Sequence, residues 1–341
     1  MRVLVLGGTG LISTAIVRRL LQNGHEPVLF NRGRSPYRFS DELEVVIGDR
    51  GDFADFARKM DGLAVDAVID MLTFDADTAR NSVEVFSNHM WHYLFCSTVC
   101  VYGPLSRIPA DEEEPQKPVS EYGRNKSEAE RVFVEAHKEP GFPVTIFRPS
   151  HCYGPGQPLL DIWGYNPTLV TRIREGGPIV VPGDGIGLWQ PCLTSDVAKG
   201  FVGALGLDAT LGRAYNIVGD EVMEWRVFHE RMARALGREA NIVTMTTQQI
   251  LAGAPLERCD MLEEIFQYHG AYTNAALKRD VPEFRDLVPW EKGVQLTVEW
   301  MDEENVHQPA DTQPWIERLA NREAEFRERL TAEHLAGLGN A

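Results

Sequence analysis

The first thirteen residues, MRVLVLGGTGLIS, join an apolar run to a glycine-rich turn and then to a helical pattern. The leucine- and valine-rich run 2–6 predicts a strand that is buried on both faces. Apolar residues at helical spacing begin directly after the turn. Unpaired backbone N–H groups at a helix N-terminus attract anions, and glycine lets the backbone approach a pyrophosphate closely. This stretch therefore predicts a dinucleotide-binding corner, whose cofactor contacts are Gly7, Thr9, Gly10, Leu11 and Ile12.

The spacing of the turn is Gly7-x-x-Gly10-x-x-Ser13, with serine where a third glycine is usual. That position needs a small residue for packing of the helix on the strand, and serine is small enough. A glycine turn in another kind of α/β protein shows the same pattern. The dinucleotide interpretation is favoured because a strand precedes the turn and a helix follows it.

Apolar runs and helical patterns alternate through the first 150 residues. The predicted strands cover residues 2–6, 26–30, 43–47, 67–71, 93–97 and 143–147. The predicted helices cover residues 11–21, 53–60, 77–88 and 120–137. This alternation predicts an α/β fold with a Rossmann-type, doubly wound parallel sheet, which binds its ligand at the carboxyl ends of the strands.

The character of the sequence changes after residue 148. Residues 149–192 are rich in glycine, proline and aromatic side chains, which is typical of substrate-binding loops over a sheet edge. Helices are predicted at 168–175, 195–207 and 225–236, and a strand at 213–218. The sequence thus predicts an NAD(P)-binding domain at 1–148, a smaller and discontinuous α/β substrate-binding region at 149–311, and a helical tail at 312–341.

The chain carries a formal net charge of −16, from 34 basic and 50 acidic residues, and no long basic run. Nucleic-acid binding is therefore not expected, because phosphate neutralisation needs clustered lysine and arginine. The five cysteines lack metal-ligand spacing, so we expect free thiols and no metal site. No apolar run approaches a membrane span. We expect a cytoplasmic protein with a small-molecule substrate and no membrane partner; a homodimer contact through the tail stays open.

The end of the second strand bears on the choice of cofactor. In dinucleotide folds an acid there bonds the ribose 2′-hydroxyl of NAD, whereas a neutral residue with a nearby arginine admits the 2′-phosphate of NADP. The residues here are Asn31 and Arg32, so NADP is favoured over NAD; alternatively, the arginine only solvates a loop. Asp49, after the third strand, could accept from the adenine amino group or cap the next helix. The other predicted cofactor contacts are Arg50 and Pro149.

Three residues suggest catalytic chemistry. Tyr122 and Lys126 stand four apart on a predicted helix and share one face. An ammonium beside a phenol stabilises the phenolate, so we expect Lys126 to lower the pKa of Tyr122 and make it a general acid/base. Thr98, at the end of a central strand, can bond the same substrate oxygen. A Tyr-x-x-x-Lys spacing also occurs on ordinary solvated helices, but its place after a fifth strand favours catalysis.

These motifs together resemble the extended branch of the short-chain dehydrogenase/reductase superfamily, the NAD-dependent epimerase/dehydratase family. The matching pieces are GGTGLIS at 7–13, GDR at 48–50, STVCVYG at 97–103, YGRNK at 122–126, RPSHCYGPG at 148–156, GDG at 183–185, TSDVAKG at 194–200 and YNIVGDE at 215–221. The resemblance implies that Tyr122 transfers a proton, Lys126 holds the nicotinamide ribose and Thr98 orients the reacting oxygen. The chemistry implied is hydride transfer at a carbon that bears oxygen.

The chain departs from the family in ways that narrow the reaction. Dehydratases of the family carry an acidic pair directly after the threonine, where this chain has Val99 and Cys100. Epimerisation or simple oxidoreduction of a secondary alcohol or ketone is therefore expected. The substrate is sugar-, sugar-nucleotide- or nucleoside-like, although no arginine follows GDG to grip a diphosphate. His151 and Trp189 are candidate substrate contacts, Trp189 as a stacking platform; alternatively, His151 is a buried imidazole that contacts no substrate.

A second interpretation comes from another resemblance. FNRG at 30–33, with the PGDG and LW pieces, is similar to a subgroup that includes chloroplast stem-loop-binding proteins, which act on RNA. A Rossmann domain reused as a non-catalytic or RNA-binding module is thus the alternative. The intact Thr98, Tyr122 and Lys126 and the acidic balance favour the enzyme.

Overall fold

The computed structural model describes residues 1–35, 39, 42–87, 90–139 and 141–338. Its strands are β1 (Arg2–Leu6), β2 (Glu26–Asn31), β3 (Glu44–Ile47), β4 (Ala67–Asp70), β5 (His92–Cys96), β6 (Val144–Pro149), β7 (His151–Tyr153), β8 (Leu160–Asp161), β9 (Gly164–Tyr165), β10 (Pro178–Pro182), β11 (Leu188–Trp189), β12 (Pro191–Leu193), β13 (Ala214–Ile217), β14 (Met223–Glu224) and β15 (Asn241–Met245). Its α-helices are α1 (Leu11–Gln22), α2 (Phe53–Met60), α3 (Ala76–Phe86), α4 (Glu121–Lys138), α5 (Leu169–Glu175), α6 (Thr194–Gly203), α7 (Trp225–Ala235), α8 (Thr247–Gly253), α9 (Ala275–Asp280), α10 (Trp290–Glu303) and α11 (Pro314–Leu338). A 3-10 turn at Val99–Val101 and a π-helical turn at Leu262–Phe266 also matter below.

Seven strands form one parallel sheet in the order β13-β6-β5-β4-β1-β2-β3. The chain runs outward from β1 to β3 and then returns to β4 on the other side of β1. Parallel sheets with this reversal bind ligands at the carboxyl ends of the strands beside it. The predicted Rossmann-type, doubly wound α/β fold is confirmed.

The run 2–6 serves two hydrophobic layers, one on each face of the sheet. Val3 and Val5 join the layer that contains the apolar faces of α1 and α6. Leu4 and Leu6 join the layer that contains those of α2, α3 and α4. Successive side chains of a strand point to opposite faces. A continuous apolar run is therefore what a strand covered by helices on both sides requires.

The predicted elements of the first 236 residues lie close to the observed ones. The six predicted strands are all present, and the strand predicted at 213–218 is β13. The helix predicted at 195–207 is shorter, because α6 ends at Gly203. No element was predicted between residues 237 and 313, where the structure has β15, α8, α9 and α10.

The chain divides into two compact units that do not follow the predicted boundaries. Unit 1 comprises Met1–Gly156, Gln190–Val222 and Ala271–Val288, and it contains the seven-stranded sheet. Unit 2 comprises Gln157–Trp189, Met223–Gly270 and Pro289–Ala341. The predicted substrate-binding region 149–311 is thus shared between the units, and the tail belongs to unit 2. The chain returns twice to unit 1 because β13 and α9 pack at the edge of the main sheet.

Unit 2 is built around short strand pairs and an aromatic core. Strands β10 and β15 pair in parallel, whereas β8 with β9 and β11 with β14 pair antiparallel. In the core, Trp189 stacks on Trp225 at 4.9 Å between ring centroids. Phe228 stacks on Trp290 at 4.3 Å. Large aromatic side chains give such a unit much of its buried apolar area.

The predicted tail helix is α11. Ile316 and Leu319, in its first two turns, are buried, whereas Phe326 and Leu330 further along are exposed. Its first half therefore packs on unit 2, in contact with α8 and β10. Among the helices of the described residues, none combines the length and apolar character that crossing a membrane requires.

The glycine that ends the loop 97–103 provides a test of the fold. Gly103 has φ +66°, and a Cβ there would lie 2.1 Å from the Lys117 carbonyl oxygen. We expect Gly103→Ala to lower the free energy of unfolding by at least about 3 kcal/mol, because backbone clash adds to left-handed strain. Gly62 is the matched control: its φ is +76° and nothing lies within 4 Å of the added Cβ. Gly62→Ala should cost only about 1 kcal/mol, measured by urea unfolding. Equal losses in both variants would contradict the clash.

Candidate active site

The structure brings Thr98, Tyr122 and Lys126 together in unit 1. Thr98 follows β5 and starts the 3-10 turn Val99–Val101, where its Oγ1 accepts from the Cys100 N–H at 3.2 Å. Tyr122 and Lys126 lie in the first two turns of α4. Ser120 fixes the start of that helix, because its Oγ accepts from the Gly123 N–H at 3.0 Å. Each of the three side chains thus comes from an element end with a defined cap.

A glycine allows α4 to lie against the loop that carries Thr98. A Cβ at Gly123 would meet the Cys100 carbonyl oxygen at 2.5 Å, a distance that real Cβ atoms do not reach. Any larger residue would push the helix and the loop apart. The glycine between Tyr122 and Arg124 therefore sets the spacing between Tyr122 and Thr98.

Lys126 is almost completely buried beneath the other two residues. Its Nζ donates to the carbonyl oxygens of Thr73 and Cys96, both at 2.7 Å. Nζ also lies 4.6 Å from the ring centroid of Phe74 and 5.9 Å from that of Tyr122. Burial lowers the pKa of Lys126, since the charged form is poorly solvated there.

The pKa of Tyr122 shifts in the direction opposite to the one expected from the sequence. Its side chain is 44% exposed, and its hydroxyl shares a hydrogen bond with Thr98. Desolvation of the phenol raises the pKa of Tyr122, and the Thr98 hydrogen bond opposes that rise. The expectation that Lys126 lowers this pKa below its ordinary value is corrected, because the ammonium donates its hydrogen bonds to the backbone carbonyls of Thr73 and Cys96. Tyr122 consequently holds its proton at neutral pH.

The glycine turn after β1 has the shape that a pyrophosphate needs. Gly7 has φ +117°, a conformation that side chains rarely adopt, and its N–H donates to the Phe30 carbonyl at 2.8 Å. Ser13 is buried, and its Oγ accepts from the Gly10 N–H at 2.9 Å. The first amides of a helix have no acceptor within it and face an anion. The turn from Gly7 to Ile12 therefore fits a dinucleotide; the individual contacts stay predictions.

Asn31 closes the same corner from the second strand. Its Oδ1 accepts from the Gly33 N–H at 2.8 Å, and its Nδ2 reaches the Gly7 carbonyl at 3.4 Å. The side chains of Arg32 and Arg34 are exposed beside it. The strand end thus presents an amide and two solvated cations to the predicted ribose position.

Two predicted cofactor contacts have other partners. Arg50 is buried between α2 and α3, where it donates to Asn81 Oδ1 at 2.7 Å and to the Thr78 carbonyl at 2.9 Å. Its guanidinium also lies 3.9 Å from the ring centroid of Phe56. Arg50 thus ties these two helices together, and its contact with the cofactor stays a prediction. Asp49 is exposed and accepts from the Gly51 N–H, and Asp52, not Asp49, caps α2.

The two predicted substrate contacts, His151 and Trp189, are both buried but lie in different units of the chain. His151 is buried in β7, which pairs with β12, and burial lowers its pKa to about 3. Pro149 ends β6 directly before it. Trp189 is 7% exposed and lies in the aromatic core of unit 2, between Trp225 and Phe266. The prediction that Trp189 stacks on substrate is corrected, because Trp225 stacks on its ring and Phe266 contacts the ring edge-on. A contact of His151 with substrate stays a prediction.

The sequence interpretation did not consider the ion pair behind the site. Arg148 and Glu130 are both buried, with Nη2 and Oε2 2.7 Å apart. Ser97, the residue before Thr98, donates to Glu130, and the Arg148 guanidinium donates to the Tyr102 hydroxyl at 2.8 Å. The sequence feature that could have indicated this buried ion pair is helical periodicity. Glu130 stands four residues after Lys126 and so shares its buried face of α4.

The buried imidazoles predict how stability depends on pH. Burial lowers the pKa of His151 to about 3 and those of His92 and His229 to about 4. Their pKa in an unfolded chain is about 6.5, so below that pH only the unfolded state binds these protons. The free energy of unfolding is therefore complete above pH ~6.5 and falls as the pH drops toward ~4.

Replacing one imidazole should flatten this dependence. We expect His151→Gln to reduce the slope by about 1 kcal/mol per pH unit, since one His contributes at most ~1.4. The measurement is urea unfolding between pH 6.5 and 4.5. His334→Gln removes an exposed imidazole and should keep the original slope. Parallel curves for all three proteins would contradict the assignment.

Known proteins resemble this chain along most of its length. The 2'-dehydrokanamycin reductase of Streptomyces kanamyceticus is 26% identical over 286 residues, 84% of this chain and 80% of that protein. The chloroplast stem-loop binding protein of 41 kDa b from Arabidopsis thaliana is 27% identical over 252 residues, which span only 63% of that protein and 69% of this chain. The structure of dTDP-glucose 4,6-dehydratase from Bacillus anthracis in complex with NAD shares the fold, with a TM-score of 0.72 at 21% identity over 89% of this chain and 97% of that one.

A family model covers the residues that form the site. The model described as the NAD dependent epimerase/dehydratase family matches residues 3–218, more than half of the chain. This range contains the glycine turn and also Thr98, Tyr122 and Lys126. The chain therefore belongs to the NAD-dependent epimerase/dehydratase family of extended short-chain dehydrogenase/reductase enzymes.

Proposed function

We propose that the protein is an NAD(P)H-dependent oxidoreductase that reduces a ketone of a sugar-like substrate to a secondary alcohol. The observation that carries the proposal is the pair of hydroxyls of Thr98 and Tyr122. Gly123 lets the helix that carries Tyr122 lie against the loop that carries Thr98, and Tyr122 is partly exposed on the same helix as the buried Lys126. Two hydroxyls at one point can bind one carbonyl oxygen and supply one proton to it.

The Tyr122 phenol can supply the proton that reduction of a ketone needs. A phenol that is protonated at neutral pH is ready to act as an acid, and reduction of a ketone consumes one proton at the oxygen. The cofactor, when bound, supplies the hydride. Thr98 orients the carbonyl oxygen, and Tyr122 donates the proton as negative charge develops on it. The ammonium of Lys126, 5.9 Å from the phenol ring centroid, stabilises the phenolate that remains.

The residues after Thr98 oppose elimination of water from the substrate. Val99 is buried and apolar, and Cys100 carries a thiol, so neither supplies a carboxylate for acid/base work. Reduction needs no second acid/base group. A relative that is named as a reductase, the 2'-dehydrokanamycin reductase above, supports the same class of reaction. We extend the proposal to sugar-like ketones without a nucleoside diphosphate, because residues 187–191 contain no cation.

Removal of the Tyr122 hydroxyl tests the mechanism. We expect Tyr122→Phe to lower kcat at least about a thousandfold, because proton donation to the oxygen is lost. The dissociation constant for NADPH should change less than about threefold, since a phenyl ring still occupies the position. The assay follows NADPH oxidation at 340 nm over a panel of sugar and aminocyclitol ketones.

Tyr268→Phe is the matched control, because it deletes a phenol hydroxyl in unit 2 and should keep normal turnover. A Tyr122→Phe enzyme that keeps most of its activity would overturn the mechanism. If the wild type exchanges a sugar epimer without net oxidation of cofactor, the protein is an epimerase and reduction is not its reaction.

We also propose that NADP is preferred over NAD. The support is the amide of Asn31, which is held in the corner by Gly33 and Gly7, with the exposed Arg32 beside it. An arginine at this strand end admits a 2′-phosphate. Support for NAD comes from the description of the family and from the NAD in the dehydratase structure above.

The first measurement is to denature the purified protein, identify any released nucleotide and titrate the stripped protein with NADPH and NADH. We expect no retained NAD and tighter binding of NADPH. Arg32→Ala should weaken NADPH binding about tenfold and leave NADH binding unchanged, because only the 2′-phosphate loses a partner. Arg329→Ala, on the exposed face of α11, is the control for lost charge. Tightly retained NAD would contradict the preference; binding of neither nucleotide, with binding of stem-loop RNA, would favour the RNA-binding alternative.

A further inference from the structure

A carboxylate at the end of β4 is buried directly behind the site. Asp70 has no solvent exposure, and its Oδ1 accepts from the backbone N–H groups of Leu72 at 2.8 Å and Thr73 at 3.0 Å. Its Oδ2 accepts from Thr73 Oγ1 at 2.6 Å and from the Tyr93 hydroxyl. The four donors surround both oxygens. Asp70 therefore fixes the turn 71–73 that follows the strand.

That turn holds one of the two oxygens to which Lys126 donates. The Thr73 carbonyl lies 2.7 Å from Nζ, and the Cys96 carbonyl at the end of β5 lies at the same distance. The Cys96 oxygen belongs to a regular strand, but the Thr73 oxygen belongs to a turn. Asp70 is what gives the turn its geometry, so the position of Nζ depends on Asp70 through Thr73.

Asp70 is one of two carboxylates that favour the charged form of Lys126. Desolvation disfavours the ammonium, while Cys96 on β5, Asp70 on β4 and Glu130 on α4 favour it. The Tyr122 ring on α4 and the Phe74 ring after the turn complete the surroundings. Glu130 is already paired with Arg148 at 2.7 Å, so part of its charge is neutralised.

No residue in the described part of the chain forms a salt bridge with Asp70. The side chains that donate to it are those of Thr73 and Tyr93. Arg50 is connected to it only indirectly, because Arg50 donates to Ser82 Oγ, which lies 3.4 Å from Thr73 Oγ1. A buried carboxylate without an ion partner keeps its full field on a nearby cation. Lys126 is the cation that benefits.

We propose that Asp70 is a positioning residue for the reaction, which holds Lys126 in place through the Thr73 carbonyl and keeps its amine in the charged form. The proposal rests on the proposed function, in which the Lys126 ammonium stabilises the Tyr122 phenolate. A solely structural Asp70 would cap the turn and affect stability without changing the charge of Lys126. The two roles are separated by measuring the titration of Lys126 itself.

The chain has seven lysines, which makes Lys126 accessible to spectroscopy. The test uses the full-length protein labelled with ¹³C and ¹⁵N lysine, and the Lys126 signal is assigned by its loss in Lys126→Arg. Its pKa is read from the Cε and Nζ shifts between pH 6 and 11. We expect Asp70→Asn to lower the pKa of Lys126 by about one unit or more, because the side-chain shape is kept and the negative charge is removed.

Two further variants bracket this result. Thr73→Val removes the hydroxyl that donates to Asp70 but keeps both the carbonyl and the carboxylate, so the pKa of Lys126 should change by less than about 0.3. Tyr93→Phe removes a donor that withdraws charge from Asp70, so the pKa of Lys126 should rise. This variant keeps the proposal testable if Asp70→Asn fails to fold, because its effect has the opposite sign.

The proposal is overturned if Asp70→Asn leaves the pKa of Lys126 unchanged, or if Tyr93→Phe lowers it. A shift in Thr73→Val as large as in Asp70→Asn would assign the effect to the turn alone and also overturn it. The measurement needs no substrate, so its failure is distinguishable from failure of the proposed function. Conversely, the loss of turnover in Tyr122→Phe does not depend on Asp70.

Discussion

The site depends on a buried ion pair that joins a strand of the sheet to the helix with the chemistry. Arg148 lies near the end of β6 and Glu130 in the middle of α4, and the two side chains meet with almost no access to water. Desolvation of two charges costs several kcal/mol each, so such a pair persists only when its remaining hydrogen-bond capacity is satisfied. Here Ser97 and Gln116 donate to Glu130, while Tyr102 accepts from Arg148. Helix, strand and loop are thereby fixed to one another.

This arrangement explains why the amine of Lys126 can be buried at all. An ammonium with two carbonyl acceptors still needs a third partner and a compensating negative charge. Lys126 lies one helical turn before Glu130, and the turn held by Asp70 is on its other side. Burial lowers the pKa of Lys126, and the two carboxylates oppose that effect. The charge of Lys126 thus depends on the balance between desolvation and the two carboxylates.

The sequence predicted most of what depends on local pattern. The apolar run 2–6, the glycine turn and the spacing of Tyr122 and Lys126 each follow from a few neighbouring residues, and the structure has the strand, the turn and the shared helix face. It did not predict partners that are distant in the chain. Arg50 and Trp189 were assigned to ligands because their types and loops suited that role. Their actual partners, Thr78 and Asn81 for Arg50 and Trp225 for Trp189, are chosen by tertiary packing. The division of 149–311 between two units could not be predicted for the same reason. β13 joins a sheet whose other strands all precede residue 150, and α9 packs against β13.

The direction of the reaction follows from how many acid/base groups the site holds. Elimination of water needs a group that removes a proton from carbon and one that protonates the leaving hydroxyl, in addition to the group that acts on the oxidised oxygen. Beside Thr98 the chain has Val99 and Cys100, neither of which is a carboxylate, so the proposed function assigns acid/base work to Tyr122. A site with one proton donor and one hydride source can complete reduction of a ketone, since that reaction consumes one of each. In the proposed reaction, the Tyr122 phenol therefore keeps its proton until negative charge on the substrate oxygen draws it away.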